Sequence, residues 1–443
     1  MAIVHPAAPR TPAPVPSQDI ANIRAPFRQA TLLPAVAYHD EAVYAWEREE
    51  IFFRDWIAAG RAEEVPEAGS FVLRELFGEQ VIIVRGRDDV IRAFYNVCRH
   101  RGTAVEEREC GKAVRFQCPY HAWIYDLDGS LVRAKHTEDL EDFSFASSGL
   151  QGILAATWQG FVFLNLGGRP VMPLEDQLGD LEEHMRRFDF ARLRSAKRIE
   201  YEVDANWKFI AENYSECYHC PGVHPQLNKL TPYDLGGDYD PDGAWQGGWM
   251  ELVGGAETMA LDGGHGSRGG RPPMCGVTPE DEVRIYYYVL WPLAFLSIHP
   301  DYLLVHRLVP TAAAHTTVIC DWLFEEETMA APGFDPSEPV AFWDLTNQQD
   351  WHVCELQQRG TRSRSWTAGR YSNNEASVHA FDLMVADRYA GDGLESHRTV
   401  RERYDTPPPK VDPGHHHANA ADVLHHAETD RHTARAKAAV RAP

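Results

Sequence analysis

The feature that most restricts what this 443-residue chain can fold into is a pair of short ligand clusters. Cys98-Arg99-His100 is followed, after seventeen residues, by Cys118-Pro119-Tyr120-His121. Each cluster offers one thiol and one imidazole, so the chain around them must bring two loops together. The flanking segments are short and β-rich: Ser70-Phe71-Val72-Leu73, Gln80-Val81-Ile82-Ile83-Val84 and Ile91-Arg92-Ala93-Phe94-Tyr95, separated by Gly, Asp and Pro. Just after the second cluster, Asp128-Gly129 stands between two apolar runs, a strong hairpin signal. A small all-β domain is therefore expected over residues 55–168.

Two Cys and two His also satisfy tetrahedral zinc. Zinc fingers, however, place both cysteines on one loop and both histidines on a helix, whereas here each loop supplies one of each among β-runs. That division suits a Rieske [2Fe-2S] cluster, in which two thiolates hold one iron and two imidazoles the other. Tyr120 and Trp123 are expected to pack around the loops.

A second constellation lies further along. Residues 205–219 fit a helix with Trp207, Ile210, Ala211, Tyr214, Cys217 and Tyr218 on one apolar stripe. Glu212, Glu216 and His219 fall on the opposite face, which a solvated polar surface would explain equally well. Pro221 and Gly222 should break the helix and let His224 turn back towards His219, so that two imidazoles share one iron. Cys217 and Cys220 are read as packing residues.

A two-histidine iron site needs a carboxylate to complete the triad that leaves positions open for O2 and substrate. Residues 339–360 read as a helix with Phe342, Leu345, Val353 and Leu356 on its core face and Gly360 as its stop. Asp350 sits at the edge of that face. Asp344 and Glu355 are its rivals, and periodicity separates the three poorly.

Composition narrows the remaining classes. A formal charge of -22 speaks against nucleic acid as a partner. No apolar run reaches the ~20 residues of a membrane helix, and a cytoplasmic location is the default for a chain without an export signal. Eight scattered cysteines argue against a disulfide framework. Residues 1–30, rich in Pro and Ala at their start, are expected to be a disordered N-terminal arm, and residues 406–443, with His415–His417 and His425–His426, a disordered C-terminal tail. The glycine-dense stretch 233–275 is expected to form mobile loops over a site. No dinucleotide fingerprint occurs, so NAD(P)H and flavin must act through a separate reductase, with or without a ferredoxin.

The two constellations, in this order, resemble the Rieske non-haem iron oxygenases, also known as ring-hydroxylating oxygenase α subunits, over roughly residues 35–405. The resemblance implies an α+β chain: an all-β Rieske [2Fe-2S] domain (55–168) beside a helix-grip, START-like α+β catalytic domain made from residues 31–54 and 169–405. It implies cluster ligation by Cys98, His100, Cys118 and His121, and mononuclear iron ligation by His219, His224 and Asp350. It further implies a homotrimer in which Glu216 bridges the iron site to His121 of a neighbouring subunit.

The wording Glu216-Cys217-Tyr218-His219-Cys220-Pro221 is similar to the branch that oxidises quaternary ammonium compounds, where an aromatic cage binds the cation. Tyr286, Tyr287, Tyr288, Trp291 and Phe295 could supply such a cage, although strand alternation explains them as well. The expected function is O2- and NAD(P)H-dependent hydroxylation of a small organic substrate, by monooxygenation or oxidative N-demethylation. The alternatives are an aromatic ring-hydroxylating dioxygenase and, in another class, a Rieske electron-transfer protein without O2 chemistry.

Overall fold

In the computed structural model, which describes residues 12–263 and 268–399, the chain builds two seven-stranded antiparallel sheets and one small three-stranded sheet. The strands of the first sheet are β1 Ile57–Arg61, β2 Ser70–Leu76, β3 Glu79–Arg85, β4 Ile91–Tyr95, β5 Cys110–Lys112, β9 Gly152–Trp158 and β10 Phe161–Asn165. They lie side by side in the order β1-β10-β9-β4-β3-β2-β5. The small sheet comprises β6 Phe116–Gln117, β7 Ile124–Tyr125 and β8 Leu131–Arg133. Its β7–β8 connection is the Asp-Gly turn: Asp128 Oδ1 accepts from Ser130 N at 2.9 Å and Gly129 takes φ +85°. A Cβ at Gly129 would come within 2.2 Å of the Phe94 ring, so both its conformation and its close approach require glycine.

The strands of the second large sheet are β11 Leu193–Val203, β12 Gly236–Asp238, β13 Trp245–Glu251, β14 Arg284–Leu290, β15 Ala294–Ile298, β16 Leu303–Ala312 and β17 His315–Glu325. Their order is β11-β17-β16-β15-β14-β13-β12. Because side chains alternate along a strand, the two faces of this sheet carry different residues. Tyr286, Tyr288, Leu296, Leu303 and Val305 share a core with Phe161 and Phe163 of the first sheet. Val289, Phe295, Leu304, Val318 and Trp322 pack instead with the helices.

Four helices matter for the site: α1 Ser17–Ile23, α2 Trp207–Tyr214, α3 Ser337–Gly360 and α4 Ala376–Ala390. Asn206 caps α2, accepting from Lys208 N at 3.0 Å. The buried residues of α3 include Phe342, Trp343, Thr346, Asn347, Trp351, Cys354 and Gln358. The expected face therefore needs correction, since Leu345 and Leu356 are exposed. The sheet and α2 wrap the side centred on Trp343, Asn347 and Trp351, and polar Asn347 is kept there by a bond with His306 at 3.1 Å.

The expectation of a disordered arm fails for residues 12–30. Ile20 and Ile23, three apart on α1, are buried, and Arg24 binds Asp387 of α4 at 2.6 Å. Pro and Ala richness concealed this short apolar stripe, and residues 1–11 lie outside the described residues. So does the tail 406–443 with its histidines. The loop expectation for 233–275 also needs correction, because β12 and β13 occupy part of it. Their glycines let strands approach closely: a Cβ at Gly247 would lie 2.4 Å from Tyr287 O. Among the described residues no helix is long and apolar enough to cross a membrane.

Chain preceding the first sheet anchors α2. Glu47 accepts from Lys208 Nζ at 2.6 Å and from Trp207 Nε1 at 2.9 Å, with the Lys208–Glu47 pair fully buried. Breaking a buried pair leaves an uncompensated charge. Lys208→Met is expected to lower stability by about 3–5 kcal/mol, read as a reduced denaturant midpoint. Tyr389 Oη also donates to Glu47, at 2.5 Å, and an unchanged midpoint would show that it and Trp207 satisfy the carboxylate without the lysine.

Candidate active site

The Cys/His loops lie at one end of the first sheet's core. Cys98 and Cys118 are buried, while His100 and His121 are exposed. The two imidazoles approach with Nδ1 to Nδ1 at 3.1 Å, so their Nε2 atoms are left for other partners. Trp123 stacks on His100 with centroids 4.9 Å apart, and Tyr120 stacks on His121 at 3.8 Å. Tyr125 Oη lies 3.2 Å from Cys98 Sγ and accepts from Arg99 N at 3.0 Å. Two buried sulfurs beneath two converging imidazoles match the donor division of a [2Fe-2S] cluster held by a pair of thiolates and a pair of imidazoles.

Replacing His121 by Ala is expected to abolish the visible absorption and EPR signal of such a cluster. The second sheet and its helices should remain folded, because the two cores they share with the first sheet contain neither Cys98 nor Cys118, which pack in a separate cluster. Absorption and EPR, with near-ultraviolet circular dichroism as the folding control, read both outcomes. A normal cluster spectrum would remove His121 from the ligand set.

At the end of α2 the chain leaves the helix at Ser215, several residues before the expected His219. Ser215 Oγ donates to Ala211 O at 2.5 Å, a local bond that competes with helix continuation. Glu212 accordingly does not share a face with Glu216. It is buried and accepts from Tyr38 Oη at 2.7 Å, and burial together with nearby Asp382 raises its pKa well above the usual carboxylate range. Pro221 and Gly222 do not break the longer helix. They lie inside a short helix, Cys220–Val223, which separates His219 from His224. The resulting turn also joins Cys217 and Cys220 in a disulfide with Cα atoms 4.9 Å apart, correcting their reading as packing residues. This path brings the His219 and His224 rings together, with centroids 5.1 Å apart, whereas five residues along a straight helix would set them on different faces.

His219, His224 and Asp350 come together, with one ligand atom from each lying within 4.8 Å of the others. Asp350 Oδ1 is 2.7 Å from His224 Nε2 and 3.3 Å from His219 Nε2. Both rings are held from behind. His219 Nδ1 donates to Glu216 Oε1 at 2.5 Å, and His224 Nδ1 donates to Gln349 Oε1 at 2.8 Å. Nδ1 bonds of this kind set the tautomer and leave Nε2 for a metal. Gln349 also accepts from Gln226 Nε2 at 2.8 Å. It was missed in the sequence, although its place beside Asp350 was the available signal.

Burial works against ionisation of Asp350, but the charge on His224 and hydrogen bonds from His219 and His224 hold its carboxyl below the ordinary range. Burial likewise opposes a charged His219, yet Asp350 and Glu216 raise it to about 10. The rivals for Asp350 are engaged elsewhere. Asp344 accepts from Tyr201 Oη at 2.7 Å, and Glu355 accepts from Asp204 N at 3.4 Å. Two imidazoles and one carboxylate fit an iron site with open positions.

The three residues border a cavity of about 410 Å³. Its aromatic wall is Tyr214, Tyr233, Trp249, Tyr287 and Trp343. Of the rings expected to form a cage, only Tyr287 lines it. Tyr286 and Tyr288 point to the opposite sheet face, Phe295 stacks on Tyr214 at 4.4 Å, and Trp291 donates to Asp55 at 2.7 Å.

Residues 55–144 match the Rieske [2Fe-2S] domain, and residues 190–391 match the ring hydroxylating alpha subunit (catalytic domain). The chain is 31% identical over 368 residues to the glycine betaine monooxygenase oxygenase subunit of Pseudomonas aeruginosa strain UCBPP-PA14, covering 77% of this chain and 84% of that protein. It is 30% identical to the carnitine monooxygenase oxygenase subunit of Escherichia coli K12, covering 78% of this chain and 88% of that one. Among solved structures it is similar to the quaternary ammonium Rieske monooxygenase CntA in complex with L-carnitine. The TM-score is 0.68 at 26% identity, with 85% of this chain and 99% of that chain covered. Naphthalene 1,2-dioxygenase from Rhodococcus sp., at 22% identity and a TM-score of 0.67 over 88% of this chain and 98% of that chain, shares the fold.

Proposed function

Because this chain belongs to the Rieske-type ring-hydroxylating oxygenase α subunits, we propose that its cavity takes a quaternary ammonium compound and presents it for monooxygenation at an iron held by His219, His224 and Asp350. The chain is the oxygenase component of such a system and draws its electrons from a separate reductase. The observation that carries the substrate reading is the juxtaposition of the triad with an aromatic wall. Ring faces attract a cation that has no hydrogen to donate. The wall includes Tyr214 and Trp343, each within 6.4 Å of the Tyr287 ring centroid.

When bound, the iron and the cluster supply O2 activation with two electrons, so that one oxygen atom enters a substrate C–H bond and the other leaves as water with two protons. The chain's own residues do the rest. Glu216 and Gln349 orient the two imidazoles, Asp350 supplies the anionic ligand, and the rings exclude water from the substrate's methyl groups. We place cluster ligation on Cys98, His100, Cys118 and His121. In a homotrimer, Glu216 would accept from His121 of the partner subunit while holding His219, giving a hydrogen-bonded path between centres.

The test is oxygenation by the purified chain with a reconstituting reductase, NAD(P)H and a panel of quaternary ammonium compounds and aromatic acids. Product carrying one 18O atom from 18O2, formed from an ammonium compound, is the expected result. Exclusive conversion of aromatic acids to diols carrying both atoms would overturn it. A carrier without O2 chemistry would hold two irons per chain, whereas this reading requires three.

A further inference from the structure

The Cys217–Cys220 disulfide is not used by the proposed chemistry, yet it closes the turn that carries two of the groups that are. In the run Glu216-Cys217-Tyr218-His219-Cys220 it begins directly after Glu216 and spans His219. The same turn is tied twice more. Cys220 N donates to Cys217 O at 3.0 Å, and the Glu216 carboxylate accepts from both N and Nδ1 of His219. The Cys220 sulfur lies against the imidazole, 3.9 Å from its Nε2. Opening the disulfide would therefore be felt first at His219 and Glu216, since two unbonded sulfurs need more room than a bonded pair.

The competing role is a staple for the fold, and three observations weigh against it. Disulfide stabilisation grows with the length of the closed loop, and a separation of three residues closes a very short one. The other six cysteines are free, so the chain as a whole is not built on disulfides. The pair also lines the cavity, with Cys217 half-buried and Cys220 buried, so a small thiol entering there meets Cys217 first. Disulfides that a thiol can reach are the labile, regulatory ones.

From these features we infer that Cys217 and Cys220 are positioning residues that form a thiol–disulfide switch: the closed pair holds Glu216 and His219 in place, and the opened pair releases them. A dithiol opens it. Two electrons and two protons pass from the dithiol to the Cys217–Cys220 bond, leaving two cysteine thiols and the reductant as a disulfide. Hydrogen peroxide closes it, taking two electrons and two protons from the thiols and leaving as two waters. The oxygenase reaction itself yields peroxide whenever O2 takes up two electrons and two protons and no substrate is oxidised. The site is thus held together under the oxidising conditions in which O2 is available. The inference rests on the proposed roles of His219 and Glu216.

In the experiment, holoprotein prepared in air is reduced anaerobically with dithiothreitol and freed of reductant by gel filtration. It is compared with untreated protein and with reduced protein reclosed by oxidised dithiothreitol. Alkylation and peptide mass spectrometry should find the pair closed in the untreated sample and as two alkylated thiols in the reduced one. In the reduced sample, release of the mononuclear iron to a chelator should be at least about tenfold faster, and single-turnover oxidation of a cluster pre-reduced through the reductase about tenfold slower. Reclosing should restore both rates. The double variant Cys217→Ser/Cys220→Ser should show the reduced rates from the start and not respond to dithiothreitol. Two thiols in air-prepared protein that oxidised dithiothreitol leaves open would overturn the inference, as would equal rates in the closed and reduced samples. Three irons per chain with equal rates remove the switch alone, whereas two irons per chain in the untreated protein remove the iron reading and the switch with it. The wild-type comparison decides even if the serine variant does not fold.

Discussion

Replacing Glu216 by Gln is expected to slow oxidation of a pre-reduced Rieske cluster about a hundredfold in a single turnover with substrate and O2, while both metal centres stay loaded. A carboxylate has acceptor lone pairs on both oxygens, and Glu216 uses them on His219 Nδ1 at 2.5 Å and on His219 N at 3.1 Å. In the proposed trimer it must also accept from a neighbouring imidazole. Glutamine keeps one acceptor and exchanges the other for an NH2 donor. Oε1 can still hold His219, so the proposed iron ligand keeps its tautomer, but the amide nitrogen then faces N–H groups that it cannot accept from. If Glu216 were merely a polar surface residue, the change would cost within about 0.5 kcal/mol and leave turnover alone. Its side chain is only 12% exposed, which already argues against that role. Stopped-flow absorbance of the cluster decides, with iron content as the control. Wild-type rates in the glutamine variant would exclude the bridge.

Asp350→Ala is expected to reduce iron from three to two per chain and turnover at least about a hundredfold, with the cluster spectrum unchanged. Asp350 contributes the only carboxylate oxygen in the triad. Without it two neutral imidazoles remain, a weak set for a hard divalent ion that must also compete with protons. The proposed cluster ligands sit on loops with a core of their own, so the cluster spectrum should not respond. Asp344→Ala and Glu355→Ala serve as controls. The first loses a bond from Tyr201 and the second a bond from a backbone N–H, and neither should release iron. Iron loss from either control, with Asp350→Ala fully loaded, would reassign the third ligand.

The residues differ in how far sequence alone could place them. Cys98/His100 and Cys118/His121 are legible because each pair sits within four residues, a span over which local chain geometry already confines the side chains. His219 and His224, five residues apart with Pro and Gly between, could be seen to converge for the same reason, even though the helix in fact ended at Ser215. That early end is a tertiary matter. Ser215 is tied both to Ala211 and to Gln246 on β13, and no periodicity in residues 205–219 records a contact with residue 246.

The proposed third ligand shows the limit most clearly. Asp344, Asp350 and Glu355 all lie on one helix, and apolar periodicity could not rank them, because the side of α3 that is buried carries Asn347 and Gln358 as well as Trp343 and Trp351. Those polar residues are buried only because distant groups satisfy them: His306 for Asn347, and Asn206 N with Tyr38 O for Gln358. The cavity wall was decided in the same way. In the run 286–288, Tyr287 faces the cavity and its two neighbours do not, by the alternation of a strand, but which parity faces inward depended on the register of β14 against β13 and β15. What the sequence by itself determined was the chemistry available at each loop, since ligand type and short spacing are local properties. Which carboxylate, which rings and which amide share a cavity was decided only by packing between segments far apart in the chain.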